Sequence, residues 1–206
     1  MTISCHCEKN LLRKEFAKKR LDIPLPCAEE ASLQICGYLL GFSALVDSRL
    51  IAAYLSDGTE PELSIFIATM CKKGASFCFP RFSAATGSYE MALVHDLDKD
   101  LQAGRYGILE PASAMRAVPE EELSRIPWLI PGVAFDSQGG RLGRGKGVYD
   151  RLLRCASGLK IGVFFEVQNC SKLPRETHDC PLDWLVTETG LRSCAQNTEH
   201  KRRCQH

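Results

Sequence analysis

The sequence predicts an α/β fold: a single three-layer domain with a mainly parallel sheet and helices on its faces. Three observations carry that expectation. Short apolar runs alternate with helix-periodic segments, the composition is that of one globular core, and a glycine-rich loop joins a strand to a helix. Of 206 residues, 45% are hydrophobic and 25% charged, which excludes a wholly disordered chain. The domain is expected over residues 1–190, followed by a basic, disordered tail over 191–206, LRSCAQNTEHKRRCQH, which has few large apolar residues.

Taken in order, Glu8 to Arg20 favours a helix, with Leu12 and Phe16 one turn apart and basic residues on the other faces. Pattern alone makes it a solvated amphipathic helix. Pro24 and Pro26 end it, and Ala28 to about Leu45 predicts a second helix with Ile35, Leu39 and Phe42 as its apolar stripe. Arg49 to Leu55 (RLIAAYL) is the first buried strand. Leu63, Phe66, Ile67 and Met70 then recur at i, i+3, i+4 and i+7, so Pro61 to Lys73 reads as a helix whose apolar face is core. Glu60 and Glu62 stand at that strand-to-helix junction, where α/β folds collect ligand contacts and where acids also simply favour a helix N-terminus.

Strands are expected again at Ser76–Arg81 and Tyr89–Val94, the first confined to a sheet edge or a strand end by Pro80. Asp96 to Arg105 is polar surface, Tyr106 to Pro111 (YGILEP) an ordered loop, and Glu120 to Arg125 a short polar helix. Trp128 to Phe135 (WLIPGVAF) is an apolar run feeding the glycine loop, and a helix is expected from about Gly147 to Ala156. Lys160–Phe165 and Trp184–Thr187 complete the strands.

Charge and cysteine usage narrow the function classes. A formal charge of +1 gives little footprint for nucleic acid or an anionic membrane, and no apolar stretch reaches a membrane span of about 20 residues. The eleven cysteines are odd in number, scattered from Cys5 to Cys204, and follow no secretory apolar segment, so they read as reduced thiols in a cytoplasmic protein. Cys5-His6-Cys7 lacks the second ligand pair of a zinc site.

The loop DSQGGRLGRGKGVYDR, Asp136 to Arg151, carries the chemistry. Five of the nine residues from Gly139 to Gly147 are glycine, interleaved with Arg141, Arg144 and Lys146. A donor-rich cationic loop opening a helix suits a phosphate, with a metal beside it. Gly140-x4-Gly145-Lys146 comes close to a P-loop, but Gly147 stands where Ser or Thr would supply a metal hydroxyl. The oxygens for a magnesium ion must come from elsewhere, and Asp136 and Asp150 are near in sequence.

WLIPGVAFDSQGGRLGRGKGVYDR, with YGILEP before it and ETHDCPLDWLVTE after it, resembles the 5-formyltetrahydrofolate cyclo-ligase family. The resemblance runs from about Lys9 to Gly190. It implies a sheet like those of sugar-phosphate isomerases and coenzyme A transferases. It also implies a ligase that uses ATP and Mg²⁺ to close 5-formyltetrahydrofolate, with or without a polyglutamate tail, to 5,10-methenyltetrahydrofolate. Lys9, Arg13 and Arg141, Leu142, Gly143, Arg144, Gly145, Lys146, Gly147, Val148 and Tyr149 match the family's ATP contacts, which replaces the bland reading of the first helix. Arg144 to Val148, with Glu62 and its neighbour Glu60, match folate contacts; Asp150 and Asp179 match metal carboxylates, with Asp183 close by in the same segment. Arg144, Lys146 and Tyr149 are the candidate catalytic residues. Val148 stands where an aromatic is usual and Leu63 where Thr is common. A monomer is expected, and the competing reading is a non-catalytic ATP- or phosphate-binding regulator that keeps the loop.

Overall fold

The computed structural model describes residues 5–104, 107–176 and 179–195. The chain opens with helices α1 (Cys5–Leu21), α2 (Leu25–Leu40) and α3 (Ser43–Val46), followed by strand β1 (Leu50–Ala52) and helix α4 (Ser64–Lys72). The hairpin β2 (Ser76–Ser83) and β3 (Ser88–Val94) leads to short strands β4 (Leu101–Ala103) and β5 (Leu109–Pro111). Then come α5 (Glu120–Leu123), β6 (Trp128–Ile130), β7 (Ala134–Phe135), β8 (Arg141–Leu142) and α6 (Val148–Leu152). Strands β9 (Lys160–Val163), β10 (Trp184–Thr187) and β11 (Gly190–Ser193) finish the sheet.

The main sheet has seven strands in the order β11-β10-β9-β6-β1-β2-β3. Pairings β10–β9, β9–β6, β6–β1 and β1–β2 are parallel, while β3 and β11 run antiparallel at the two edges. Period-2 burial explains the layers. Ile51, Phe77, Phe79, Leu129 and Val186 point into a core roofed by α2 and α4; Ala52, Cys78, Trp128, Ile130 and Leu185 point into the opposite one, under α5 and α6. Both faces of the inner strands are therefore apolar, the mark of a parallel sheet covered on two sides. Leu63, Phe66, Ile67 and Met70 are all buried, as the helical spacing predicts.

Chain order within the parallel strands reverses between β1 and β6: β1 is followed outward by β2, whereas β6 is followed on its other side by β9 and β10. At such a reversal the connecting segments leave toward opposite faces, opening a crevice beyond the carboxyl ends of the strands. That crevice is the site described below.

Several boundaries differ from expectation for local reasons. The second helix stops at Leu40, because Gly41 caps it and Phe42 turns away to pack on Trp184, ring centroids 4.9 Å apart. Pro80 lies in β2 beyond Cys78, the last residue paired to β1, so its missing N–H breaks no bond on that side. The run Trp128–Phe135 is two strands, and β7 pairs with β8 instead of joining the sheet. The helix expected to Ala156 is α6 followed by a tight 3-10 turn, Leu153–Cys155. The domain does not end at 190: Gly190–Ser193 pairs with Trp184–Thr187, and Cys194 is fully buried. The remainder of the expected tail, 196–206, lies outside the described residues, as do Tyr106 of YGILEP and residues 177–178 of the ETHD segment.

Candidate functional site

A cleft of about 760 Å³ opens at the strand-order reversal. Tyr54 and Leu55 follow β1, Pro131 and Gly132 follow β6, and both pairs line it. The whole run from Arg141 to Asp150 forms one wall, joined by Lys9, Arg13, Glu60 and Asp179. Segments far apart in sequence thus meet on one concave surface. Helix α1 reaches it because Phe16 packs with Val133, Ala134, Leu142 and Leu173. That apolar seam holds the Lys9 and Arg13 face of α1 against the β7–β8 hairpin.

Arg141 is almost wholly buried and donates to Asp150 Oδ1 at 2.6 Å. Its guanidinium sits 5.5 Å from the Tyr149 ring centroid. Burial pulls the Arg141 pKa down, offset in part by Asp150, yet a guanidinium keeps its charge at any ordinary pH. The Nε of Arg141 is buried with no hydrogen-bond partner among the described residues, an unmet donor that costs about 1–3 kcal/mol. Burial also raises the Tyr149 phenol, with Glu60 adding to it, so Tyr149 stays protonated and acts as a donor.

Lys9 bridges Glu176 Oε2 at 2.7 Å and Asp179 Oδ2 at 3.0 Å. Burial lowers the Lys9 pKa, but the hydrogen bonds from Glu176 and Asp179 outweigh it and the net shift is upward. Arg13 braces the loop backbone through Nε to the Gly143 carbonyl at 2.9 Å. Arg144 Nη2 donates to Glu60 Oε1 at 2.8 Å and also to Asp57 Oδ2. Behind them Arg20 lies 3.6 Å from Glu60 and 3.9 Å from Asp57. Burial raises the Glu60 carboxyl despite Arg144. For Asp57 burial is outweighed by Thr59 and Arg144, and the net shift is downward.

Two expectations are corrected by this geometry. Asp136 is not free to hold a metal: it is buried, its Oδ1 accepts from Gln138 N, Gly140 N and Arg175 Nη2, and its Oδ2 accepts from Leu173 N. Glu62 is exposed, outside the cleft, and accepts from Ser64 N at 3.0 Å, where it caps the start of α4; Glu60 is the acid of the junction that faces the cleft. Asp179 lies in the cleft wall, whereas Asp183 is spent on Lys160, accepting from its N at 2.8 Å and its Nζ at 3.2 Å. Among the described residues no three or more His, Cys, Asp or Glu side chains gather as a metal site.

Sequence reasoning missed Arg20, Asp57, Glu176 and Tyr54. Tyr54 had a signal, since an aromatic ending a predicted strand at the crevice is a lining candidate; its hydroxyl donates to the Pro61 carbonyl at 2.6 Å. Glu176-x-x-Asp179 had one too, an acidic pair in a short loop. Arg20 had none, because one helical arginine among several basic residues looks solvated until its neighbours are known.

A family model described as the 5-formyltetrahydrofolate cyclo-ligase family matches residues 6–188. The chain belongs to that family. The family is one of ligases, and its members include the 5-formyltetrahydrofolate cyclo-ligase of Escherichia coli K12, 31% identical over 167 residues that cover 79% of this chain and 91% of that protein. The Mycolicibacterium smegmatis cyclo-ligase is 28% identical over 184 residues, 87% of this chain and 93% of the relative. Among solved structures, the Aquifex aeolicus 5,10-methenyltetrahydrofolate synthetase superposes with a TM-score of 0.79 at 32% identity, covering 91% of this chain and 93% of that one. The Mycoplasma pneumoniae synthetase shares the fold, with a TM-score of 0.70 at 21% identity and coverage of 88% and 99%. Among the described residues no helix is long and apolar enough to cross a membrane.

Proposed function

We propose that this cyclo-ligase family member converts 5-formyltetrahydrofolate and ATP to 5,10-methenyltetrahydrofolate, ADP and phosphate. The observation that carries this is the convergence of Lys9, Arg13, Arg141, Arg144 and Lys146 with Asp150 and Asp179 in one cleft. The five cations suit a triphosphate, and the carboxylates that line the same cleft, Glu60, Glu110, Asp150, Glu176 and Asp179, include hard oxygens for a divalent ion.

A formamide oxygen is a poor leaving group. Transfer of the γ-phosphoryl to that oxygen creates a good one, N10 of the folate attacks the activated carbon, and phosphate departs. Phosphoryl transfer asks the protein for position and charge neutralisation more than for a nucleophile. Lys146 and Arg144 supply positive charge from the exposed part of the loop, and Arg141 supplies it from a buried position. Tyr149, held protonated, donates a hydrogen bond to substrate or phosphate. Asp150 and Asp179 are hard oxygen donors that fit Mg²⁺, whose charge would offset that of the phosphates. Glu60, buried and reluctant to ionise, faces the part of the cleft where the folate would lie.

The test follows product absorbance with the purified protein while ATP, Mg²⁺ and folate are omitted in turn. Turnover is expected only with all three, and turnover without ATP would overturn the reading. Asp150→Ala should raise the Mg²⁺ concentration required for half-maximal rate or abolish turnover. An unchanged Mg²⁺ titration would move the metal role to other residues.

A further inference from the structure

We propose that Asp57 is a positioning residue for Arg144, fixing the guanidinium of the glycine loop. The inference rests on the function proposed above. The Ser56–Glu60 turn is built to present two carboxylate oxygens. Ser56 Oγ donates to the Glu60 carbonyl at 3.0 Å and accepts from Gly58 N at 3.1 Å. Asp57 Oδ1 accepts from Thr59 N at 3.0 Å and Thr59 Oγ1 at 2.7 Å, which fixes the carboxylate plane and leaves Oδ2 for Arg144.

The four charges differ in exposure. Side-chain exposure is 7% for Arg20, 7% for Glu60 and 15% for Asp57, but 42% for Arg144. Arg144 is also the member borne on a glycine-flanked segment, between Gly143 and Gly145. Asp57 and Glu60 both accept from Arg144, with Arg20 lying behind them. Glu60 alone is a weaker anchor, since burial favours its neutral form, whereas Asp57 holds its charge to lower pH. Asp57 thereby removes the freedom the glycines would otherwise give Arg144, leaving less to be ordered when a phosphate arrives.

Asp57→Asn keeps the Oδ1 acceptor for Thr59 and removes the charge. The expected result is a fall of about tenfold in kcat with a thermal midpoint close to that of the wild type. In an Arg144→Ala background the same change should cost nothing further, because residues acting as one unit are non-additive. Hydrogen exchange of residues 143–147 should accelerate alike in Asp57→Asn and Arg144→Ala. Wild-type kcat in Asp57→Asn, or losses that multiply in the double variant, would overturn the proposal. Absence of cyclo-ligase turnover in the wild type would sink the functional reading instead. Hydrogen exchange alone then decides: unchanged exchange in Asp57→Asn rejects the positioning role, and accelerated exchange retains it.

Discussion

The two halves of the glycine-rich run, 136–140 and 143–147, look alike in sequence and do opposite things. In the first, Asp136 is a hub whose carboxylate accepts from three backbone N–H groups and one arginine, and Asp136, Gly139 and Gly140 are buried while Ser137 and Gln138 are exposed. In the second, Arg144, Gly145 and Lys146 are exposed on the cleft, and the loop backbone is held by side chains, Arg13 donating to the Gly143 carbonyl and Arg151 to the Lys146 carbonyl. Glycine content does not distinguish a structural turn from a ligand loop. The partners of the nearest carboxylate do: Asp136 faces inward to amides, whereas Asp150 faces Arg141 in the cleft.

That contrast predicts a clean separation of stability from activity. The largest effect should come from Asp136→Asn, which turns an acceptor of four bonds into a group that presents donors to donors. It should cost about 3–5 kcal/mol, the range for breaking one side of a buried charge pair. Chemical denaturation measures it, and a loss under about 1 kcal/mol would remove Asp136 from its structural role. Next is Lys146→Ala, which should raise the activation barrier by about 2–4 kcal/mol while leaving the denaturation midpoint in place. Unchanged kcat/KM would make Lys146 a surface residue.

A matched pair of glycine substitutions sharpens the comparison. Gly139 has φ +79° and a Cβ there would meet the Leu182 carbonyl at 2.5 Å, so backbone must move. Gly145 has φ +86°, but its nearest obstacle is the Arg13 side chain at 3.2 Å, which can give way. Gly139→Ala should therefore lose about 1–3 kcal/mol of stability with kcat retained in the folded fraction. Gly145→Ala should lose about 1–2 kcal/mol from its positive φ, less than Gly139→Ala, which adds a backbone clash, and its further damage should appear in the ATP KM, since Arg13 is displaced. Equal stability losses would erase the distinction.

Much of this was readable in the sequence, and what was not has a physical cause. The period of Leu63, Phe66, Ile67 and Met70 and the apolar strands specified both core faces, because burial is a local pattern repeated along each element. Nearly every ligand-loop residue, from Arg141 to Asp150, does line the cleft, together with Lys9, Arg13, Glu60 and Asp179. The failures are of two kinds. Asp136 was assigned by proximity in sequence and Glu62 by the family resemblance; the bonds that hold Asp136 inward come from Leu173 and Arg175, far along the chain, whereas Glu62 turns onto its near neighbour Ser64. Arg20 and Asp57 entered the site because α1 and the Ser56–Glu60 turn meet there, a fact of the tertiary fold. Strand β11 was lost because its four residues, GLRS, are mostly half-exposed and carry no alternation.

The smallest effect tests the α1 side of the cleft by pH. The Lys9 pKa is raised in the fold through Glu176 and Asp179, against the lowering by burial. Its contribution to stability is therefore complete below the unfolded value of 10.5 and lost as pH rises through the higher folded value. Lys9→Met removes that contribution and keeps the aliphatic stem. Glu176 is 41% exposed, so screening limits the difference to about 1 kcal/mol at neutral pH. Denaturation curves of wild type and variant should stay apart up to about pH 10 and converge above it. A gap that stays constant as pH rises above about 10 would mean that Lys9 does not set the titration. The bridge from α1 to the Glu176–Asp179 loop would then owe its strength to the packing of Phe16 rather than to charge.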